Sequence, residues 1–442
     1  MFLDANYYSM YKWNKDYLER LPNDARPLWI ALERGEGEIK VFKTKIDSPL
    51  KKYENDEYVE RIVKFMLWAF GGYKFYILGP SNMVSRLSKI YSTEGRRSFD
   101  YEFMTKVYGR PLEFVRIEEE KDFPKECEKP IAVERNSKGY KIGFDAGGSD
   151  RKVTATIDGE VVFESEDIWH PKLNADPAYH KAGIKDSIDK ALKALGGRVD
   201  AIGVSSAGIV VDGEMRTASL FIKVPDEIYA EKVHRIYKDL EKEYGCPVKV
   251  ANDGDVAALA GAFALNSGNV LGIAMGTSEA AGFVDEDFRI KGYLNELAFA
   301  PVDAFVDSAR DDWSGDVGVG SQYHSQDGVI RLAKQAGIEL DSKLSPAEKL
   351  KVVQKLAEEG DGRATSIFQR LGEYFGYSVL WYREFYPIEK ILLLGRVASG
   401  IGGDILLAKA KQVLKAEKSG IEIVVPDERT RRLGQSYTAT LM

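Results

Sequence analysis

Apolar positions along the chain switch between alternation and a helical repeat, and the switches mark its elements. "PLWIALERG" and "EIKVFKTKI" predict two strands around a glycine-containing turn. "NDEYVERIVKFMLWAFGG" opens on Asn-Asp, carries a helical apolar stripe and stops at Gly-Gly, so both ends of a helix are marked. The strand "YKFYILG", the helices "SNMVSRLSKIYS" and "FDYEFMTKVYG", and the strand "PLEFVRI" complete an α/β unit over residues 1–135. Its aromatics, Trp13, Trp29, Trp68, Tyr73 and Tyr76, read as core. The charged, proline-bearing stretch "EEEKDFPKECEKP" reads as a linker, with a boundary near Glu134.

Past the boundary, "YKIGFDA", "KVTATID" and "EVVFESE" predict a β-meander, turning at Gly-Gly-Ser and at Asp158-Gly159. "IKDSIDKALKALGG" places Ile184, Ile188, Ala191, Leu192 and Leu195 on one helical face. The strand "VDAIGVSSAGI" follows, then "VKVANDGDVAALAGAFA", which turns from strand to helix. "VLGIAMGTSEAAGFVD" is strand–turn–strand. A long helix, "ATSIFQRLGEYFGYSVLWYREFYP", feeds the strand "KILLLG", a Gly-rich turn and the helix "DILLAKAKQVLK". Alternating strands and helices predict two α/β lobes with a ligand cleft between them, over residues 138–265 and 266–442.

Charge changes the picture mainly by exclusion. The chain has 62 Lys+Arg against 69 Asp+Glu, interspersed and without a basic block, so neither nucleic acid nor an anionic membrane is an expected partner. The two cysteines, Cys127 and Cys246, stand in no metal or redox spacing and suit a reducing compartment. The first residues lack the apolar core of a signal peptide, and no stretch reaches membrane-span length. A cytoplasmic location is expected.

Three Gly-rich turns are candidate phosphate cradles: "DAGGSDRK", "GIAMGTSEAAG" and "GRVASGIGGD". Without a Cβ, backbone N–H groups can approach phosphate oxygens, and Ser149, Thr277 or Ser278 can add a donor. None fits a Walker A or a dinucleotide fingerprint. In "VANDGDVAALAG", Asn252 and Asp253 stand where a strand ends and an Ala-rich helix begins. Such residues cap helices, yet an acid at a strand's carboxyl end can also take a proton from a substrate hydroxyl.

The order of these motifs resembles the ROK (repressor, open reading frame, kinase) family of sugar kinases, within the actin/hexokinase/heat-shock ATPase superfamily. "FDAGGSDRK" looks like its first phosphate loop, and "AIGVSSAGIVVDGEMR" like the segment linking the first lobe to its sugar loop. "ANDGDVAALAGAF" is similar to Asn-Asp-Ala-Asn-Ala-Ala-Leu, and "AMGTSEAAGFV" to the second phosphate loop. "LNELAFAPVD" resembles Gly-Glu-Leu-Gly-His-x-Pro, and "YPIEKILLLGRVASGIGGD" the adenosine-side motif. The resemblance covers roughly residues 138–442. It implies a two-lobed actin-like (ribonuclease H-like) ATPase fold, preceded here by an extra N-terminal α+β domain. It implies ATP and Mg²⁺ as cofactors, a hexose or related sugar as substrate, and Asp253 as catalytic base. Asp145 would hold Mg²⁺ through water. Gly147, Gly148, Ser149, Lys152, Gly276, Thr277 and Ser278 would face phosphates, while Gly395, Gly400 and Gly402 would border adenosine. Ser206, Asn252, Asp253 and Glu296 would touch the sugar.

The chain also departs from the family. Phe299 stands where the zinc-ligating His would be and neither cysteine is near, so no structural zinc is expected. His324 lies in the replacing region, "DSARDDWSGDVGVGSQYHSQDG". The sugar-loop Asn is replaced near Ser219, and Asp255 takes the place of the second Asn. Glu279 follows the second phosphate loop, where an inward carboxylate would repel a γ-phosphate. The alternative readings are a sugar-responsive regulator without catalysis and a non-sugar ATPase. The N-terminal unit lacks a recognition helix, and three roles stay open for it: packing on the first lobe, covering the sugar cleft, or making a homodimer.

Overall fold

The computed structural model describes residues 3–35, 37–47, 52–134, 138–426 and 434–442. Helix α1 (Met10–Glu19) precedes a four-stranded sheet of β1 (Arg26–Glu33), β2 (Ile39–Ile46), β3 (Lys74–Leu78) and β4 (Glu113–Ile117) in the order β2-β1-β3-β4. β1 is antiparallel to both neighbours, and β4 joins β3 in parallel. Helices α2 (Lys52–Phe70), α3 (Ser81–Ile90) and α4 (Ser98–Tyr108) complete the unit. The stretch read as a linker is fastened rather than loose, because Cys127 exchanges backbone hydrogen bonds with Ile39 at 2.7 and 3.0 Å.

The predicted meander forms β5 (Tyr140–Ala146), β6 (Asp150–Ile157) and β7 (Glu160–Ile168). After α5 (Pro177–Ala194) come β8 (Ala201–Ser206), the ribbon β9 (Ile209–Val211) and β10 (Glu214–Thr217), α6 (Asp226–Lys232), α7 (Leu240–Tyr244) and β11 (Val248–Asn252). This sheet has the order β11-β8-β5-β6-β7. Its parallel members β11, β8 and β5 set Asn252 opposite Ser206, and Ser205 opposite Asp145, so their carboxyl ends form one row. Ligands of open α/β sheets gather at such ends.

Helix α8 (Asp253–Leu265) leads to the stretch expected as the second lobe, and called so below, with β12 (Val270–Met275), β13 (Glu279–Val284), α9 (Gln326–Gln335), α10 (Pro346–Glu358), α11 (Gly362–Tyr382), β14 (Lys390–Leu394), α12 (Gly400–Ala416) and β15 (Glu422–Val424). The strand order is β13-β12-β14-β15. The last helix, α13 (Gln435–Ala439), packs on the first lobe's sheet, against β5, β8 and β6. A Cβ on Gly143 or Gly203 would stand 1.8 Å from Ser436 O or 1.7 Å from Ala439 O, so only glycine lets the helix lie there.

The N-terminal unit and the second lobe share one hydrophobic core. The second half of α2 is buried on nearly every side, and Phe65 stacks on Phe385 of the second lobe with ring centroids 4.0 Å apart. A helix buried all round reads as apolar all round, and "IVKFMLWAF" does, apart from Lys64. Among the described residues, no helix is long and apolar enough to cross a membrane.

Candidate active site

Strand β11 ends at Asn252, whose Oδ1 accepts from the Gly254 N–H at 2.7 Å and so caps α8. Its Nδ2 donates to Gly208 O at 2.8 Å. The amide thus fastens the helix start to the loop entering the β9–β10 ribbon. Asp253 is the first residue of α8, and the Gly254 N–H also reaches its Oδ1 at 3.0 Å. Helix and sheet meet closely here: a Cβ on Gly282 of β13 would stand 2.2 Å from Gly254 O. The glycine pair therefore seats the amino end of α8 against the second lobe, which fixes Asp253 at the junction.

Asp145, at the end of β5, is buried, and its Oδ1 accepts from Ser205 Oγ at 2.7 Å. Burial pushes its carboxyl up to about 6, against that hydrogen bond, and the Asp253 charge adds to the rise. Burial also raises Asp253, opposed by the Gly254 N–H. Glu296 is lifted to about 7 by burial and then by Asp253. Asp255 reaches about 7 through burial, although Phe283 N–H at 3.0 Å and Asn295 Nδ2 at 2.8 Å both donate to its Oδ1. Asp253 is therefore the hub of four acids, its charge felt by the other three. Burial and this mutual repulsion together draw their proton affinities toward neutrality.

The first glycine turn leaves Gly148 and Ser149 exposed, and Trp169 Nε1 holds it by donating to Gly147 O at 2.8 Å. Ser149 Oγ donates to Asp150, and Lys152 lies 3.5 Å from Asp150 while its charge reaches Asp145. In the second turn Thr277 and Ser278 stand toward solvent, and Gly276 O accepts from the Gln326 N–H at 2.9 Å. The third turn is different. Gly395 and Gly402 have packing reasons of their own, since added Cβ atoms would stand 2.2 Å from Met275 O and 2.5 Å from the Phe368 ring. Gly400, with φ +62° at the start of α12, has no such crowding: an added Cβ would meet only Glu358 Oε1, at 3.9 Å.

Two expectations take a different form in the structure. Ser206 is buried and its hydroxyl lies 2.9 Å from the Tyr237 hydroxyl, so Ser205 is the serine that faces Asp145. Glu279 turns away from the phosphate turn into the second lobe, where it faces His324 Nδ1 at 3.1 Å and accepts from the Tyr382 hydroxyl at 3.3 Å. Among the described residues, no three His, Cys, Asp or Glu side chains are arranged to hold a metal ion. A cavity of about 360 Å³ opens beside Asn252 and Asp255, walled by Arg34, Tyr108, Gly208 and Tyr293. Its volume is within the range of small-molecule sites.

The ROK family model matches residues 141–402, more than half of the chain. The chain belongs to the ROK family. The N-terminal unit lies outside the match. A ROK hexokinase from Thermus thermophilus is 19% identical with a TM-score of 0.53, over 68% of this chain and 97% of that one. A ROK family transcriptional regulator, homologous to the E. coli MLC protein, is 18% identical with a TM-score of 0.53, over 69% and 78%. At such identities the likeness is one of fold. No curated protein matches the chain.

Proposed function

We propose that this ROK protein is a kinase that transfers the γ-phosphoryl group of ATP to a hydroxyl of a hexose or related sugar, with Asp253 as general base. The observation that carries the reading is the place of Asp253, first residue of α8 where the sheet of β5, β8 and β11 meets β13, with its charge reaching Asp145 and Glu296 and its own proton affinity raised by burial. A carboxylate so placed can accept a hydroxyl proton near neutral pH as the oxygen attacks phosphorus. Glu296 and Asn252 would orient the sugar, and the turns at Gly148-Ser149 and Thr277-Ser278 would direct N–H and O–H donors at the phosphates.

The donor set fits magnesium. Asp145 has one oxygen on Ser205, and among the described residues no protein donor reaches the other. Magnesium keeps most of its waters and takes one or two carboxylates plus substrate phosphates, so Asp145 would hold it without a protein cage. When bound, it would neutralise charge on the phosphate oxygens.

The test is a coupled ADP-release screen over hexoses, amino sugars and anhydro sugars with Mg²⁺ present. Asp253→Asn should keep its fold and lose roughly a thousandfold or more in turnover. Undiminished phosphorylation by that variant would remove Asp253 from the chemistry.

A further inference from the structure

Three consecutive amides of the segment carrying Glu296 donate to the last turn of α2. Leu294 N–H reaches Phe70 O at 3.1 Å, Asn295 N–H reaches Ala69 O at 2.9 Å, and Glu296 N–H reaches Trp68 O at 3.0 Å. A helix leaves its last four carbonyls without partners within it. Here three of them are satisfied by a distant loop of the second lobe, and that loop gains a fixed seat. Among the described residues, the Glu296 carboxylate itself has no side-chain or backbone donor, so where it stands depends on this backbone seat.

Trp68 secures the seat from two sides. Its ring packs against Phe299, three residues past Glu296, with centroids 4.5 Å apart. Its indole N–H donates to Asp100 Oδ1 at 2.8 Å. Asp100 in turn accepts from Lys64 Nζ at 2.9 Å on both oxygens, the two side chains being 0% and 1% exposed. Lys64 also reaches Asp316, which pairs with Arg97 at 2.6 Å. Arg97 then meets Glu60 at 2.9 Å. The buried Lys64, the half-buried Arg97 and three buried carboxylates thus tie α2, α4 and the Asp316 loop into one body. Fully partnered clusters of this kind give a unique geometry, and loss of one member leaves a buried charge unpaired.

We propose that the N-terminal unit is a positioning element of the active site: Trp68, held by the Lys64–Asp100–Asp316 cluster, sets where Glu296 stands before Asp253. The proposal rests on the reading of Glu296 as a sugar ligand, and the experiment separates the two. Its first arm needs no substrate: amide hydrogen exchange of the full chain, read on peptides covering residues 293–299. Lys64→Met should speed exchange there by about tenfold or more, Lys64→Arg should restore protection, and peptides of β5 should stay unchanged. Trp68→Phe keeps an aromatic ring against Phe299 while removing the indole donor and part of the ring volume, and leaves the Lys64–Asp100 pair in place, so it gives a smaller effect in the same place.

The second arm uses whichever sugar gives the fastest ADP release in the panel. Lys64→Met should raise KM about tenfold with kcat within about twofold, because Glu296 would grip the sugar equally in ground and transition states. Lys64→Arg should recover KM. Unchanged protection in both Lys64→Met and Trp68→Phe would overturn the proposal, as would lost protection with an unchanged KM. If no sugar is turned over by the unmodified chain, the kinase reading fails, and the exchange arm alone decides whether Trp68 seats the segment.

Discussion

Asp255 offers a direct test of how deeply this site is cut off from water. It is 3% exposed, and its carboxyl is lifted from an ordinary value near 3.8 to about 7, by burial first. A folded carboxyl that binds its proton more tightly than the unfolded one favours the fold at low pH. That advantage fades as pH rises from the unfolded value toward the folded one. Each unit of difference is worth about 1.4 kcal/mol, so keeping an aspartate here costs about 2 kcal/mol at pH 5 and about 4 kcal/mol at pH 8. Asp255→Asn retains an Oδ1 to accept from Phe283 N–H and Asn295 Nδ2 but cannot ionise. Any fixed cost of the new NH₂ group is common to both conditions, so only the difference matters. The stability of the Asp255→Asn protein relative to the parent should therefore improve by roughly 2–3 kcal/mol between pH 5 and pH 8. With unfolding entropy scaling with chain length, over 442 residues that is about 3 °C in Tm. Thermal scans of both proteins at several pH values read it directly. Parallel curves at a constant offset would show that Asp255 keeps an ordinary proton affinity, and the account of the cluster as water-excluded would be wrong.

Other expectations follow from the same geometry. Asp145 at about 6, Glu296 at about 7 and the raised Asp253 must lose protons before the cluster can act as base and ligands, so kcat/KM should climb from pH 5 to about 7 and level above it. Glu296→Gln should move the upper part of that rise to lower pH, because it removes one of the coupled acids; a flat profile in the parent would exclude the cluster from the rate. Gly282→Ala would press a methyl group to 2.2 Å from Gly254 O, so it should cost about 1–3 kcal/mol of stability and lower turnover by shifting Asp253. Gly420→Ala meets nothing within 4 Å and should change neither, which makes it the matched control.

Much of the candidate site's placement was legible because strand ends are legible. "KIGFDA", "GVSS" and "KVAN" each stop at a polar residue or one short of it, and three parallel strands stopping together bring those residues into a row. Side-chain direction was harder to read. Adjacent serines point to opposite faces of a strand, and nothing within "GVSSAG" says which face meets Asp145, since that depends on register with β5. Likewise, a glutamate after a glycine turn reads as a threat to a phosphate. Only the partners supplied by His324 and Tyr382, far along the chain, draw Glu279 inward. The seat of Glu296 on α2 was not legible at all, because backbone carbonyls leave no mark in a sequence.

A further signal lies in two strand glycines. Gly143 and Gly203 each interrupt an otherwise apolar run within a strand, and the two are register partners in β5 and β8. A lone glycine in a strand marks a close backbone approach; two side by side mark a groove across the sheet. Helix α13 fills it, with Ser436 Oγ 2.8 Å from Thr154 Oγ1 and Gln435 Nε2 donating to Asp253 O at 3.1 Å. The chain thus returns from the second lobe to the first and passes beside the residue on which the proposed chemistry depends. Asp253 is then held by three separate stretches of chain: the cap at Asn252, the Gly254–Gly282 contact with β13, and Gln435 of α13. A base that must meet a hydroxyl within hydrogen-bond reach needs that kind of support, and here it draws on both lobes at once.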